Sequence, residues 1–161
     1  MPESVDYRAI LGSSLGADLD ADECQTLAGI LQTRVLSDGE VLIEEGQKDH
    51  ALQLVARGAI SVERHTPDGL HHVVHVMHPG EFSGVMGFFD GAPRTATLRS
   101  SGESLIYVME RSAFETLVSE QPKIAFKVVR SVIRNAYHII ESMNRQMEQL
   151  SNYFFKHGGR Y

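Results

Sequence analysis

Seven short β-rich runs between Thr33 and Met109, each closed by turn chemistry, restrict the fold of this chain more than any other feature of its sequence. The runs are RVL, EVLIEE, ALQLVA, AISVERH, LHHVVHVMH, TATLRS and ESLIYVM. Between them stand Ser37-Asp38-Gly39, Glu45-Gly46, Arg57-Gly58, Pro67-Asp68-Gly69, Pro79-Gly80 and Ser101-Gly102, whose glycines supply the positive φ that tight turns require. Strands this short and this evenly spaced predict an antiparallel roll or barrel, not a parallel α/β sheet.

Helical spacing brackets the strands. Leu19, Cys24, Leu27, Ile30 and Leu31 recur at helical intervals, with Asp18 or Asp20 as N-cap, and predict a short amphipathic N-terminal helix. After Met109 the pattern returns to helix in RSAFETLVSEQ and then, past Pro122, in one long run opened by a first-turn proline. From Ala125 the apolar positions Val129, Val132, Ala136, Ile139 and Met143 alternate steps of four and three, the rule of a coiled-coil seam. Met147, Leu150 and Phe154 follow after an extra step of four, a stutter. Val128, Ile133 and Ile140 widen the stripe, so one face is expected to meet a partner chain and the adjoining face the chain's own roll. Such a helix, from Pro122 to about Phe155, is roughly 50 Å long, more than a domain of this size covers alone. The expected organisation is a β-roll with its N-terminal helix over residues 1–121 and a long helix with a short tail over 122–161, together one structural domain and a homodimer through 122–155.

Charge and composition narrow the function classes. Residues 122–161 hold seven basic and two acidic side chains, a net +5 that leaves −11 on residues 1–121. An acidic body disfavours direct nucleic-acid binding, which needs clustered Lys and Arg. No apolar run approaches the roughly 18 residues of a membrane span, and the N-terminus has no basic segment followed by an apolar one, so no membrane association and a cytoplasmic location are expected. Cys24 is the only cysteine, which excludes an internal disulfide and any Cys-x-x-Cys pair, and it reads as a small buried hydrophobe. Neither His-Glu-x-x-His nor a P-loop is present, and the expectation is that the chain is not an enzyme.

The segment that carries chemistry is Gly80-Glu81-Phe82-Ser83-Gly84-Val85-Met86-Gly87-Phe88-Phe89, followed by Asp90-Gly91-Ala92-Pro93-Arg94-Thr95-Ala96-Thr97. A strand ends at Pro79-Gly80, and a glycine-punctuated turn opens a short helix near Gly84, exposing amide N–H groups that suit an anion. Arg94, at the start of the next strand, could close on a phosphate with charge-assisted bonds, or could pair with an acid such as Asp90 instead. Phe88 and Phe89 read as anchors that tie this helix to the core.

This segment resembles the phosphate-binding cassette of cyclic-nucleotide-binding domains, where a Gly-acid-x-x-Gly-Glu-x-Ala/Gly-Leu run precedes Pro-Arg-x-Ala-Thr. Gly39, Gly46 and Gly58 fall where that family places its turn glycines. LIYVMERSAFETLVSEQP is similar to the strand and helix leading into the long helix of bacterial catabolite-activator-like regulators, and the resemblance covers residues 20–155. It implies an antiparallel β-roll of the jelly-roll type flanked by a short N-terminal and a long C-terminal dimerisation helix. It further implies a cyclic nucleotide or related small anionic ligand on Gly84, Val85, Met86, Arg94 and Thr95. Arg94 would bind the cyclic phosphate, Thr95 would add a hydroxyl contact, with a hint of guanine acceptance, and the amides of Gly84, Val85 and Met86 would cap the anion. Val85 stands where the family has the glutamate that accepts from the ribose 2′-hydroxyl. A valine accepts nothing, and a hydroxyl left unpaired in a closed pocket costs about 1–3 kcal/mol. The family's polar base contacts fall near the apolar Ile139 and Ile140. No helix-turn-helix segment follows the long helix, so the chain resembles the sensory half of such a regulator and would signal through a partner protein or through helix rearrangement. A degenerate module that keeps roll and helix but binds no nucleotide is the alternative reading, and a haem or metal sensor a third.

His65, His71, His72, His75 and His78 crowd one strand, but alternation puts His71 and His75 on one face and His72 and His78 on the other. No metal site is therefore expected from them.

Overall fold

The computed structural model describes residues 3–158. Five helices and eight strands follow the chain in the order α1 (Tyr7–Leu11), α2 (Ala21–Ala28), β1 (Leu31–Leu36), β2 (Val41–Ile43), β3 (Ala51–Arg57), β4 (Ile60–His65), β5 (His71–Met77), β6 (Phe82–Ser83), α3 (Val85–Asp90), β7 (Thr97–Ser100), β8 (Ser104–Glu110), α4 (Arg111–Glu120) and α5 (Pro122–His157). The strands form two four-stranded antiparallel sheets, ordered β1-β8-β3-β6 and β2-β7-β4-β5. This is the antiparallel roll that the turn spacing predicts, and the six expected turn glycines all take left-handed φ, between +77° and +94°. Residues 159–161 of the expected short tail lie outside the described residues.

Strand alternation divides the interior into two cores. Val55, Ile60, Met77, Leu98 and Ile106 meet Leu36, Leu42 and Ile43 in one cluster, the filling between the sheets. Leu52, Leu54, Leu105, Tyr107 and Met109 belong to the other, shared with Ile10, Leu15, Leu27, Phe88, Phe114 and the start of α5. On β3 the result is five consecutive buried residues, because odd positions turn toward one core and even positions toward the other. Cys24 is buried on α2 as expected. Asp20, not Asp18, caps that helix, in a reciprocal pairing with Glu23.

Asp18 has a different role. It accepts from Arg130 (2.8 Å) and Arg134 (2.7 Å), and Lys127 reaches Glu23 at 2.7 Å, so three basic residues of α5 clamp the helix to the N-terminal region. The two guanidiniums hold the Asp18 carboxyl below its ordinary range.

The 36 residues of α5 bury only Ile124, Ala125, Val128, Ser131 and Val132. This corrects two expectations. Val132 of the seam packs against its own domain, whereas Ile133 and Ile140, expected on the roll, are 63% and 56% exposed. The reason is length: after Val132 the helix has passed the end of the roll and has nothing left to cover it. Ile139, Met143, Met147, Leu150 and Phe154 are all more than half exposed along the remaining turns. Among the described residues, no helix is long and apolar enough to cross a membrane.

Candidate functional site

The site grows from a two-residue strand. Phe82 and Ser83 of β6 pair with Leu54 and Gln53 of β3, fixing where the chain leaves the sheet. Gly84 then turns at φ +96° and opens α3 as its N-cap, and Gly91 closes the helix at φ +68°. Phe88 draws this six-residue helix onto the helix-side core, 1% exposed and edge-on to Phe114 of α4 at 5.4 Å. Phe89 stays 41% exposed with its ring edge-on to Phe88. Phe88 is thus an anchor as expected, whereas Phe89, expected to be one too, is left largely outside the core.

Arg94 does not start the next strand, which begins at Thr97. Its backbone is instead tied to the turn after β2, the Arg94 amide donating to the Gln47 carbonyl (2.9 Å) and the Gly46 amide to the Arg94 carbonyl (2.7 Å). That tether lets the side chain run inward. Arg94 is 8% exposed, and its guanidinium donates through Nη2 to Asp49 Oδ1 (3.0 Å) and to the Ala51 carbonyl. The acid beside Arg94 is therefore Asp49, from the loop before β3, and not Asp90, which is exposed at the end of α3.

Gly84, Val85, Met86, Arg94 and Thr95 all line one cavity of about 290 Å³, together with Val62, Ser83, Gly87, Pro93, Ala96 and Leu98. Met86 and Thr95 are exposed, Val85 is half-buried against the helix-side core, and Arg94 is the sole charged side chain of the lining. Two of the lining residues carry a buried polar atom without a hydrogen-bond partner, Arg94 Nε and Ser83 Oγ, and Gln53 Oε1, near Gly84 but outside the lining, is a third. Unpaired buried donors and acceptors are costly and rare, so two on the lining of one cavity mark a place suited to a polar group. The first amides of α3 add donors that have no acceptor within the helix. Ile139 and Ile140 do not line this cavity.

Sequence reasoning missed Ser83, Gln53 and Asp49. A signal for Gln53 was present, since a glutamine inside the apolar run ALQLVA sits oddly in a buried strand. Nothing local marks Asp49 or Ser83, because their importance comes from chain segments meeting in space.

The histidine faces also need correction. β4 and β5 slip register between Val62 and Glu63, leaving Val74 as an extra residue. The bulge inverts the alternation, so His72 falls on the face of His75 while His71 joins His65 on the other, their rings 4.1 Å apart. His65 donates its amide to Glu45 and sets its ring nitrogen 2.8 Å away, holding that carboxyl below its ordinary range. His75 pairs with Glu81 at 2.9 Å. Among the described residues, no group of three or more His, Cys, Asp or Glu is arranged to hold a metal ion.

Comparison with known proteins places this geometry. The family model for the cyclic nucleotide-binding domain matches residues 33–121. A CRP-like cAMP-activated global transcriptional regulator of Mycobacterium tuberculosis is 26% identical over 96 residues, covering 60% of this chain and 43% of the regulator. The chain thus spans less than half of that relative's length. Among solved structures, a cyclic nucleotide-binding domain from Methylobacillus flagellatus superposes with TM-score 0.79 at 23% identity, over 89% of this chain and 83% of that one. The N-terminal domain of a transcriptional regulator from Streptomyces coelicolor superposes with TM-score 0.73 at 27% identity, over 83% and 94%. A family match over more than half of the sequence, laid on this two-sheet roll with its glycine-opened helix and inward arginine, makes the chain a member of the cyclic nucleotide-binding domain family.

Proposed function

We propose that this chain is a non-catalytic regulatory module that binds a small anionic ligand, a cyclic nucleotide or related phosphate, on Gly84, Val85, Met86, Arg94 and Thr95 and signals through α5. The observation that carries this reading is Arg94, a buried cation with an unpaired Nε on a cavity whose neighbouring Ser83 Oγ is also unpaired. An acceptor anion satisfies both. The route to the helix is short: Phe88 of α3 meets Phe114 of α4, and α4 packs on α5. A ligand that draws α3 inward shifts the position of α5 by its differential affinity for the two arrangements. The exposed seam from Ala136 to Phe154 pairs two copies of the chain, and the apolar area it leaves uncovered is the reason.

One observation favours the second reading, a module that has kept the roll and helix but binds no nucleotide. The Nη2 edge of Arg94 is already taken by Asp49 and the Ala51 carbonyl. Thermal-shift titration with cyclic AMP and cyclic GMP separates the two. The ligand-binding reading expects a rise in Tm that Arg94→Ala abolishes. A rise of equal size in the variant, or none in the parent at millimolar nucleotide, sinks it.

A further inference from the structure

The lining of the Arg94 cavity is uneven: one cation and the hydroxyls of Ser83 and Thr95 stand among side chains that are otherwise hydrocarbon. Arg94 Nε and Ser83 Oγ are the buried, unpaired donors. Val62, Val85, Ala96 and Leu98 supply the covered apolar part of the lining, and Met86 and Pro93 are exposed. No carboxylate or carboxamide side chain lines the cavity, and its hydroxyls are those of Ser83 and the exposed Thr95, so a ligand hydroxyl set against Val62, Val85, Ala96 and Leu98 finds no side-chain acceptor there. Each such hydroxyl, buried unpaired, weakens binding roughly tenfold to a hundredfold.

The charge balance is equally restrictive. Arg94 is the sole cation of the lining, and Asp49 already sits 3.0 Å from its Nη2. That pair is already neutral, so a ligand head is matched only by taking the place of Asp49 on Arg94, and then for one negative charge; a second would be buried without a partner.

Resting on the anion-site reading above, we propose that this cavity selects an amphipathic monoanion, a carboxylate or phosphodiester on an apolar body. Ser83 Oγ and Arg94 Nε are the donors to its head, and the Val85 wall excludes hydroxyl groups. Ser83 is thereby a binding residue, and Val85 sets specificity by what it cannot accept.

Calorimetric titration of the full chain tests this with three probes: 3′,5′-cyclic AMP, its 2′-deoxy analogue and 4-phenylbutyrate. The expected result is that the 2′-deoxy compound binds at least as tightly as the ribose compound, and that Ser83→Ala weakens the tightest probe about tenfold. Val85→Glu, which installs an acceptor on the wall, is expected to turn the preference toward the ribose form. Binding of phenylbutyrate assigns the carboxylate head; binding of both nucleotides without it assigns the phosphodiester. A ribose compound held tenfold more tightly than the deoxy one by the unaltered chain overturns the hydroxyl-excluding wall while leaving the anion site standing. Absence of heat with all three probes at millimolar concentration overturns the anion site itself. The comparison on the unaltered protein requires no variant to fold.

Discussion

The guanidinium of Arg94 lies directly behind Gly84, so close that a Cβ built on the glycine would collide with Nη1 and stand 2.7 Å from Gln53 Oε1. The same glycine holds φ at +96°, a conformation that side chains strain against. Gly84→Ala is therefore expected to destabilise the fold by about 1–3 kcal/mol from backbone strain. It should also dislodge Arg94 from Asp49 and abolish any ligand-induced thermal shift. Denaturant unfolding and thermal-shift titration of the same variant check both, and an unchanged ligand response would show that the glycine–arginine contact is dispensable.

Phe88 links the cassette helix to the helix-side core at 1% exposure. Its truncation to alanine is expected to cost about 3–5 kcal/mol, the range for large-to-small changes in packed cores. Phe89→Ala, at an exposed position, is expected to cost much less. Paired urea titrations measure the difference, and equal losses would mean the helix is anchored by other contacts.

The clamp on α5 predicts a pH dependence. Asp18 is held below its ordinary range by hydrogen bonds from Arg134 and Arg130. A carboxyl depressed in the folded state contributes stability that is whole above its unfolded value, about pH 4, and that is lost as pH falls through the depressed value. Asp18→Asn should consequently melt lower than the parent at pH 7, with the gap closing below about pH 4. A gap that stays constant from pH 7 to pH 3 would separate the clamp from stability.

Along the free part of α5, Ile139 is 54% and Met143 59% exposed. If this stripe pairs two copies, the unaltered chain sediments as a dimer and the double change Ile139→Glu with Met143→Glu sediments as a monomer, since buried charge on a coiled-coil seam is strongly unfavourable. An unaltered chain that sediments as a monomer across micromolar concentrations disposes of the pairing.

How far the sequence reached can be judged at particular residues. Gly39, Gly46, Gly58, Gly69, Gly80 and Gly102 marked turns that exist, because the need for positive φ is a property of the backbone at that residue. Pro122 marked the first turn of α5, and Phe88 marked the anchor of α3, for similarly local reasons. The two-residue strand β6 left no periodicity to read, and α1 is a five-residue helix held by an Asp6 cap and by the Tyr107 hydroxyl, 101 positions away on β8, which accepts from the Asp6 amide. The histidine faces went wrong because a bulge at Val74 is invisible to a rule of strict alternation.

The sequence by itself determined the strand-and-turn rhythm, the amphipathic helices and the position of the cassette between Gly80 and Thr97, all of which rest on interactions within a few residues. Only the tertiary structure decided what Arg94 faces. Asp49, Ala51, Gln53 and Gly84 come from loop, strand and turn up to 45 positions away, and their convergence on one guanidinium depends on how two sheets and a helix close around each other. It likewise decided where α5 leaves the roll, since burial stops at Val132 although the apolar stripe runs on.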